Sequence, residues 1–166
     1  DYSPRQLDSE KMVALREGYE IQIVRADMTK PFPFEDASFD LIFHPVSNCY
    51  IQDVTHVWRE CFRVLAPGGM LLSGLDNGMN FALDENTGAL AHRLPYNPLD
   101  DPNELERAVR AGEGVQFSHT IEEQIAGQLQ AGFLLLDVYG DTNGSGILHE
   151  YGIPSFWATC AKKPRV

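Results

Sequence analysis

The sequence predicts an α/β fold: a largely parallel sheet flanked by helices and finished by a C-terminal antiparallel hairpin. Three observations lead there. Short runs of strand formers alternate with helix-length segments of 3.6-residue apolar period, glycine and proline punctuate the junctions, and the last two strand-like runs follow each other with no helix between them. The 166 residues suit one domain, 1–166, and no internal repeat divides them.

Ser3 caps the first helix, Pro4 occupies its first turn, and Gln6 is placed to complete a capping box. The helix runs to Glu17 with Leu7, Ala14 and Leu15 on one face, and Gly18 ends it. Ile21 to Arg25 reads as a strand. After the turn-rich Pro31 to Ala37, Phe39-Asp40-Leu41-Ile42-Phe43 has the density of strand formers expected of an interior parallel strand, ending at His44-Pro45. Asp53 caps the next helix, whose apolar residues Val54, Val57, Trp58, Cys61, Phe62 and Leu65 all fall at helical spacing. His56 is expected on its solvent side. Pro67-Gly68-Gly69 stops that helix, and Met70 to Gly74 reads as another buried strand.

Residues 76–118 differ in character. Asn, Pro and Gly are scattered through them, and Asp76, Asp84, Glu85, Asp100, Asp101, Glu104 and Glu106 face Arg93 as the one cation up to Glu106. A connection this long inside a compact fold is read as a substrate lid, with a short helix near Asn103 to Arg110. Thr120 and Glu123 then form a capping box for a helix with Ile121, Ile125 and Leu129 on one face, closed by Gly132. Phe133 to Val138 and Phe156 to Ala161 are the strands of the hairpin, with Gly140 to Gly146 as its flexible connection.

A net charge of -11 and a pI near 4.7 disfavour nucleic acid or an anionic membrane as partner and favour a small-molecule substrate. Cys49, Cys61 and Cys160 are odd in number and form no CxxC pair, which fits a reducing cytoplasm and argues against a zinc site.

Three segments carry a family resemblance: Arg25-Ala26-Asp27-Met28, then Phe39 to Phe43, then Phe62-Arg63-Val64-Leu65-Ala66-Pro67-Gly68-Gly69-Met70-Leu71-Leu72. In this order and at these distances they are similar to successive motifs of class I S-adenosylmethionine-dependent methyltransferases of the type 11 kind. The resemblance implies a Rossmann-like sheet with S-adenosyl-L-methionine at the carboxyl ends of its first strands, where such sheets bind ligands. It places Asp1 on the ribose hydroxyls, Tyr2 beside the adenine, Asp27 on the adenine amino group and Met28 on the ring. His44 and Pro45 fall beside the sulfonium and the amino-acid tail. Asn48, Tyr50 and Tyr96 are candidate substrate contacts. Methyl transfer is a direct displacement, so the protein aligns the reactants and excludes water, adding a base where the acceptor carries a proton. His119 at the mouth of a helix is the first candidate base and His149 the second, with His44 also counted among the catalytic candidates.

The chain departs from the family at its start. The glycine-rich cofactor turn, with the strands around it, is missing, so the sheet is expected to be N-terminally truncated and to belong to a longer parent. In the family's strand order the loss falls between Ile21–Arg25 and Phe39–Phe43, a gap on the order of 14 Å at ~4.8 Å per strand. Such a chain must close the gap, borrow strands from another copy as a homodimer, or leave its first helix and strand out of the sheet. A methyltransferase-like scaffold without catalysis, binding a partner through the open sheet edge, is the alternative function. A nicotinamide-dependent oxidoreductase is disfavoured, because Gly140 to Gly146 is not expected to lead into a helix.

Overall fold

Short-range signals set most of the elements in the computed structural model, which describes residues 1–84, 87–112 and 114–165. Helix α1 spans Pro4–Glu17. The Ser3 hydroxyl accepts from the Gln6 amide at 3.4 Å, and Gly18 closes the helix at φ 72°. The Gln6 side chain does not complete a box but donates to Glu10. Leu7 and Ala14 are buried, whereas Leu15 is fully exposed and leaves the face assigned to it.

The sheet comprises β1 (Phe39–His44), β2 (Leu65–Asp76), β3 (Leu134–Asp141) and β4 (Phe156–Lys162), ordered β1-β2-β4-β3. β1 and β2 are parallel, and the antiparallel hairpin folds back so that β4 lies between β2 and β3. Between β1 and β2 lies α2 (Val54–Val64), capped by the Asp53 carboxylate on the Thr55 and His56 amides. Its apolar stripe packs on the sheet as its spacing requires: Val57 and Trp58 are wholly buried among Leu65, Leu71, Leu75, Phe133 and Ala161. His56 is partly buried, with Nε2 sealed from solvent and unpartnered among the described residues.

Two expectations about strands change. Ile21–Arg25 joins no ladder; it lies beside the start of the chain, where the Asp1 carbonyl accepts from the Ala26 amide at 3.0 Å, the Asp1 backbone nitrogen donates to the Val24 carbonyl at 3.3 Å, and Arg25 Nε donates to the Tyr2 carbonyl at 3.1 Å. The segment thus lies outside the four-stranded sheet of the described residues. β1 is not an interior strand either. It pairs with β2 alone, and Leu41 and Phe43 on its uncovered face are 56% and 72% exposed. Composition makes a strand, but neighbours make burial.

The last helix also differs from its expected form. The Thr120–Glu123 box closes reciprocally, Thr120 N–H to the Glu123 carboxylate at 2.9 Å and Glu123 N–H to the Thr120 hydroxyl at 3.2 Å. Glu122–Ala126 then winds as a π-turn before α5 (Gly127–Ala131) resumes α-helical winding. The wider turn rotates the face toward the sheet. Gln124 and Gln128 are fully buried, Ile125 packs on the core, and Ile121 and Leu129 stand half exposed. The stretch Gly140 to Gly146 is likewise not a simple loop: Gly140 and Asp141 belong to β3, and Gly146 opens the five-residue α6 (Gly146–Glu150).

Gly69 has no room for a side chain. A Cβ there would stand 2.9 Å from the Ala66 carbonyl oxygen and 3.0 Å from that of Asp40, both backbone atoms at the β1–β2 junction. Gly69→Ala is expected to cost ~1–3 kcal/mol of stability. Urea unfolding followed by circular dichroism reads this as a lower midpoint at constant slope. An unmoved midpoint would show that the junction yields freely.

Candidate functional site

The carboxyl ends of β1 and β2 open where an α/β sheet ordinarily receives its ligand. β1 delivers His44 there, followed by Pro45 and a short turn, Asn48–Tyr50. β2 delivers Asp76, followed by the short helix α3 (Met79–Ala82) and the acidic insert, in which α4 (Pro102–Ala111) is the helix expected near Asn103 to Arg110. The insert returns alongside the β1 loop. Phe117 N–H donates to the Cys49 carbonyl at 2.7 Å, and Tyr96 and Ser118 exchange hydrogen bonds at 2.6 and 2.9 Å.

A buried polar row crosses the helix-facing side of the sheet. His44 pairs in register with Ser73, which pairs with Thr159. His44 Nε2 meets Asn48 Oδ1 at 2.8 Å, Asn48 Nδ2 donates to Gln124 Oε1 at 2.9 Å, Gln128 Nε2 donates to the Gln124 carbonyl at 3.1 Å, and the Thr159 hydroxyl donates to Gln128 Oε1 at 3.1 Å. The His44 ring stands edge-on to Trp58 with centroids 5.7 Å apart, and burial holds its pKa below the ordinary imidazole value. Ser73 Oγ, in the middle of the row, has no partner among the described residues.

His119 sits beside this row with Nε2 hydrogen-bonded. Nε2 donates to the Asn48 carbonyl at 3.0 Å, since a carbonyl only accepts, and Nδ1 faces Glu123 Oε2 at 3.6 Å. His149 lies in α6, its Nδ1 bonded to the Thr142 hydroxyl at 2.6 Å. Asp76 accepts from the Gly78 amide and from Asn80 Nδ2, yet its burial pushes its pKa up. Burial, aided by Asp76, raises the Cys49 thiol to about 11, and burial raises Cys61 to about 12, so neither is a thiolate nucleophile near neutral pH. Among the described residues no group of three or more His, Cys, Asp or Glu side chains is placed to hold a metal, and no helix is long and apolar enough to cross a membrane.

The acids expected to meet the adenosine lie at the ends of two neighbouring extended segments, brought together by the Asp1 backbone contacts to Val24 and Ala26. Asp1 Oδ1 accepts from the Ser3 amide at 2.7 Å, and Asp27 Oδ1 accepts from both the amide and the hydroxyl of Thr29 at 2.8 Å. Those Thr29 bonds hold the Asp27 pKa below the usual carboxylate range. The Tyr2 ring lies under the Arg25 guanidinium at 5.0 Å, and Met28 packs against the hydrophobic core. Asn48 is buried with its amide oxygen and nitrogen each hydrogen-bonded, Tyr50 is half exposed beside Gly114, and Tyr96 stacks on Phe81 while its hydroxyl donates to Glu104. Sequence reasoning missed Gln124 and Gln128. Their i, i+4 spacing was visible, but glutamine reads as a surface residue.

Residues 1–73 match the family model described as a methyltransferase domain. An uncharacterized methyltransferase of Bacillus subtilis (strain 168), YbaJ, is 38% identical over 170 residues, covering 98% of this chain. This chain belongs to the class I S-adenosylmethionine-dependent methyltransferase family. It spans 66% of the length of the Bacillus methyltransferase. The fold agrees: an S-adenosylmethionine-dependent methyltransferase from Mesorhizobium loti superposes with a TM-score of 0.67 at 17% identity, covering 98% of this chain and 77% of that one. The [4+2]-cyclase SpnF superposes with a TM-score of 0.66 at 16% identity, covering 99% and 64%. Proteins named for different activities thus share this class I methyltransferase fold, and chemistry must be argued from the site.

Proposed function

We propose that the protein transfers a methyl group from S-adenosyl-L-methionine to a small-molecule acceptor held between the ends of β1 and β2 and the acidic insert. The observation that carries this reading is the juxtaposition of Asp1 and Asp27 at the tips of adjacent extended segments. Each carboxylate spends Oδ1 on its own turn, and no hydrogen bond to Oδ2 of either is made among the described residues. A carboxylate oxygen in that position suits the ribose hydroxyls at Asp1 and the adenine amino group at Asp27. These residues fit the adenosine half of the donor, with Tyr2 and Met28 beside the base. Pro45 and His44 border its methyl end.

When bound, the donor supplies an electrophilic methyl carbon on a sulfonium. The chain's own residues orient the acceptor, exclude water through the insert, and receive a proton where the acceptor carries one. His44, at the carboxyl end of β1, is assigned that last role, with His119, whose Nε2 is spent on the Asn48 carbonyl and whose Nδ1 faces the Glu123 carboxylate, as the second candidate. Tyr50 and Tyr96 border the space under the insert and supply aromatic contacts to the acceptor. Asn48 acts from beneath.

Titration calorimetry with S-adenosylhomocysteine tests the donor site. Asp27→Ala is expected to weaken binding by about 10–100-fold, the equivalent of one charge-assisted hydrogen bond at ~1.5–3 kcal/mol. Equal affinity in wild type and variant would remove Asp27 from the site. No binding by the wild-type protein at millimolar ligand would end the methyl-transfer reading.

A further inference from the structure

We propose that Asn48 is a positioning residue that holds His44 as a neutral imidazole protonated on Nε2, leaving Nδ1 as the proton acceptor of the site. The inference rests on the methyl-transfer reading for its purpose, and on hydrogen-bond geometry for its content. Asn48 Nδ2 donates to Gln124 Oε1, so the oxygen of the same amide faces His44. An amide oxygen only accepts; the proton in the 2.8 Å contact therefore belongs to His44 Nε2. Nδ1 then carries the lone pair. It has no hydrogen bond among the described residues. Nδ1 is thus the one nitrogen of the ring that can take a proton.

Asn48 is itself held from three sides. Its carbonyl accepts from the Ile51 amide at 3.1 Å and from His119 Nε2 at 3.0 Å, and its amide is read by Gln124 from within the π-turn. Gln124 is tied onward through Gln128 to Thr159 on β4. Trp58, whose indole donates to the Glu123 carbonyl at 2.9 Å, limits the His44 ring along its edge. The π-turn thus has a use: it carries Gln124, which is buried and fixes the Asn48 amide. π-turns recur at functional positions for this kind of reason. Burial keeps His44 neutral, the Asn48 hydrogen bond opposes this in part, and no charged side chain contributes. The nearby titratable groups, Asp76, His119 and Glu123, act on one another instead. In the step this serves, the acceptor's O–H or N–H proton passes to His44 Nδ1, its bonding pair stays on the acceptor heteroatom, and the imidazolium later returns the proton to solvent.

Long-range ¹H–¹⁵N spectra of the histidine rings test the arrangement without donor or acceptor. In the wild-type protein near neutral pH, His44 is expected to show a protonated Nε2 and a bare Nδ1, titrating below the ordinary ~6.5. Asn48→Asp places a carboxylate on the same proton and is expected to raise the His44 titration by about 1 unit or more. Gln124→Glu, which can only accept, is expected to keep the wild-type tautomer. A wild-type His44 protonated on Nδ1 would overturn the proposal, and so would an Asn48→Asp protein whose His44 titration is unmoved. If the aspartate variant fails to fold, the wild-type tautomer decides alone. Loss of the donor reading by calorimetry would leave these spectra unchanged, so the two failures are distinguishable.

Discussion

Trp58→Ala is expected to lower the unfolding free energy by ~3–5 kcal/mol, the range for deleting a fully buried aromatic side chain. Trp58 has no exposed surface and joins three parts of the molecule at once. Its ring packs in the helix–sheet core, its Nε1 donates to the Glu123 carbonyl, and its edge faces His44. Gly127 is its counterpart on the last helix, where a Cβ would lie 2.7 Å from Trp58 Cδ1. Truncation removes filling from a space that glycine cannot refill. Trp58→Phe restores most of the apolar contact but not the hydrogen bond, and should cost ~1–2 kcal/mol. Urea unfolding of the three proteins would separate the two contributions. A cost below about 1 kcal/mol for the alanine variant would show that α2 and the last helix do not share one core.

Glu60→Ala is expected to cost roughly 2–3 kcal/mol, because it leaves several donors without an acceptor in a partly buried place. Glu60 accepts from the Phe32 amide at 2.6 Å and from Arg63 at 2.7 and 3.0 Å; Arg63 in turn donates to the Phe32 and Phe34 carbonyls and to Asp36. This network shapes the loop that feeds β1. The Arg63 hydrogen bonds, then the Phe32 amide, hold the Glu60 pKa below its ordinary value against the effect of burial. A carboxyl group with a depressed folded pKa contributes in full above its unfolded value, ~4.3, and loses that contribution as pH falls through the folded value. The stability difference between wild type and Glu60→Gln should therefore be largest near neutral pH and shrink below about pH 4. A difference independent of pH would show that the carboxylate charge is not what the network needs. Asp76 acts with the opposite sign: its raised pKa costs stability when it is ionised, and acid relieves that cost.

Elements whose stability is local were legible from the residues. The α2 stripe, the Asp53 cap and the Thr120–Glu123 box all formed, because 3.6-residue spacing and capping chemistry act within one turn. Elements that depend on a neighbour were not. Ile21–Arg25 has strand composition but no strand beside it among the described residues, and Phe39–Phe43 is an edge because β2 is its one partner there. Ile121, Ile125 and Leu129 were phased as an ordinary helix, and the π-turn moved that phase so that two glutamines took the interior. For the candidate site, the family resemblance pointed to Asp1, Asp27 and His44, but hydrogen-bond direction did not follow from it. That information fixed His119 Nε2 on the Asn48 carbonyl and made Asn48 a hub.

A helix that accommodates one residue more than its hydrogen-bond ladder requires has a length that is itself adjustable. Deleting a single residue within 122–126 would let the ladder close at ordinary pitch and swing everything before it by about 100°. Ile121 would move toward the sheet, and the amide that orients Asn48 would leave it. The helix would gain an oilier footing while the imidazole at the end of β1 lost its anchor. If His44 serves as the proposed proton acceptor, robustness and reactivity are separated here by the length of the chain as much as by the identity of any side chain.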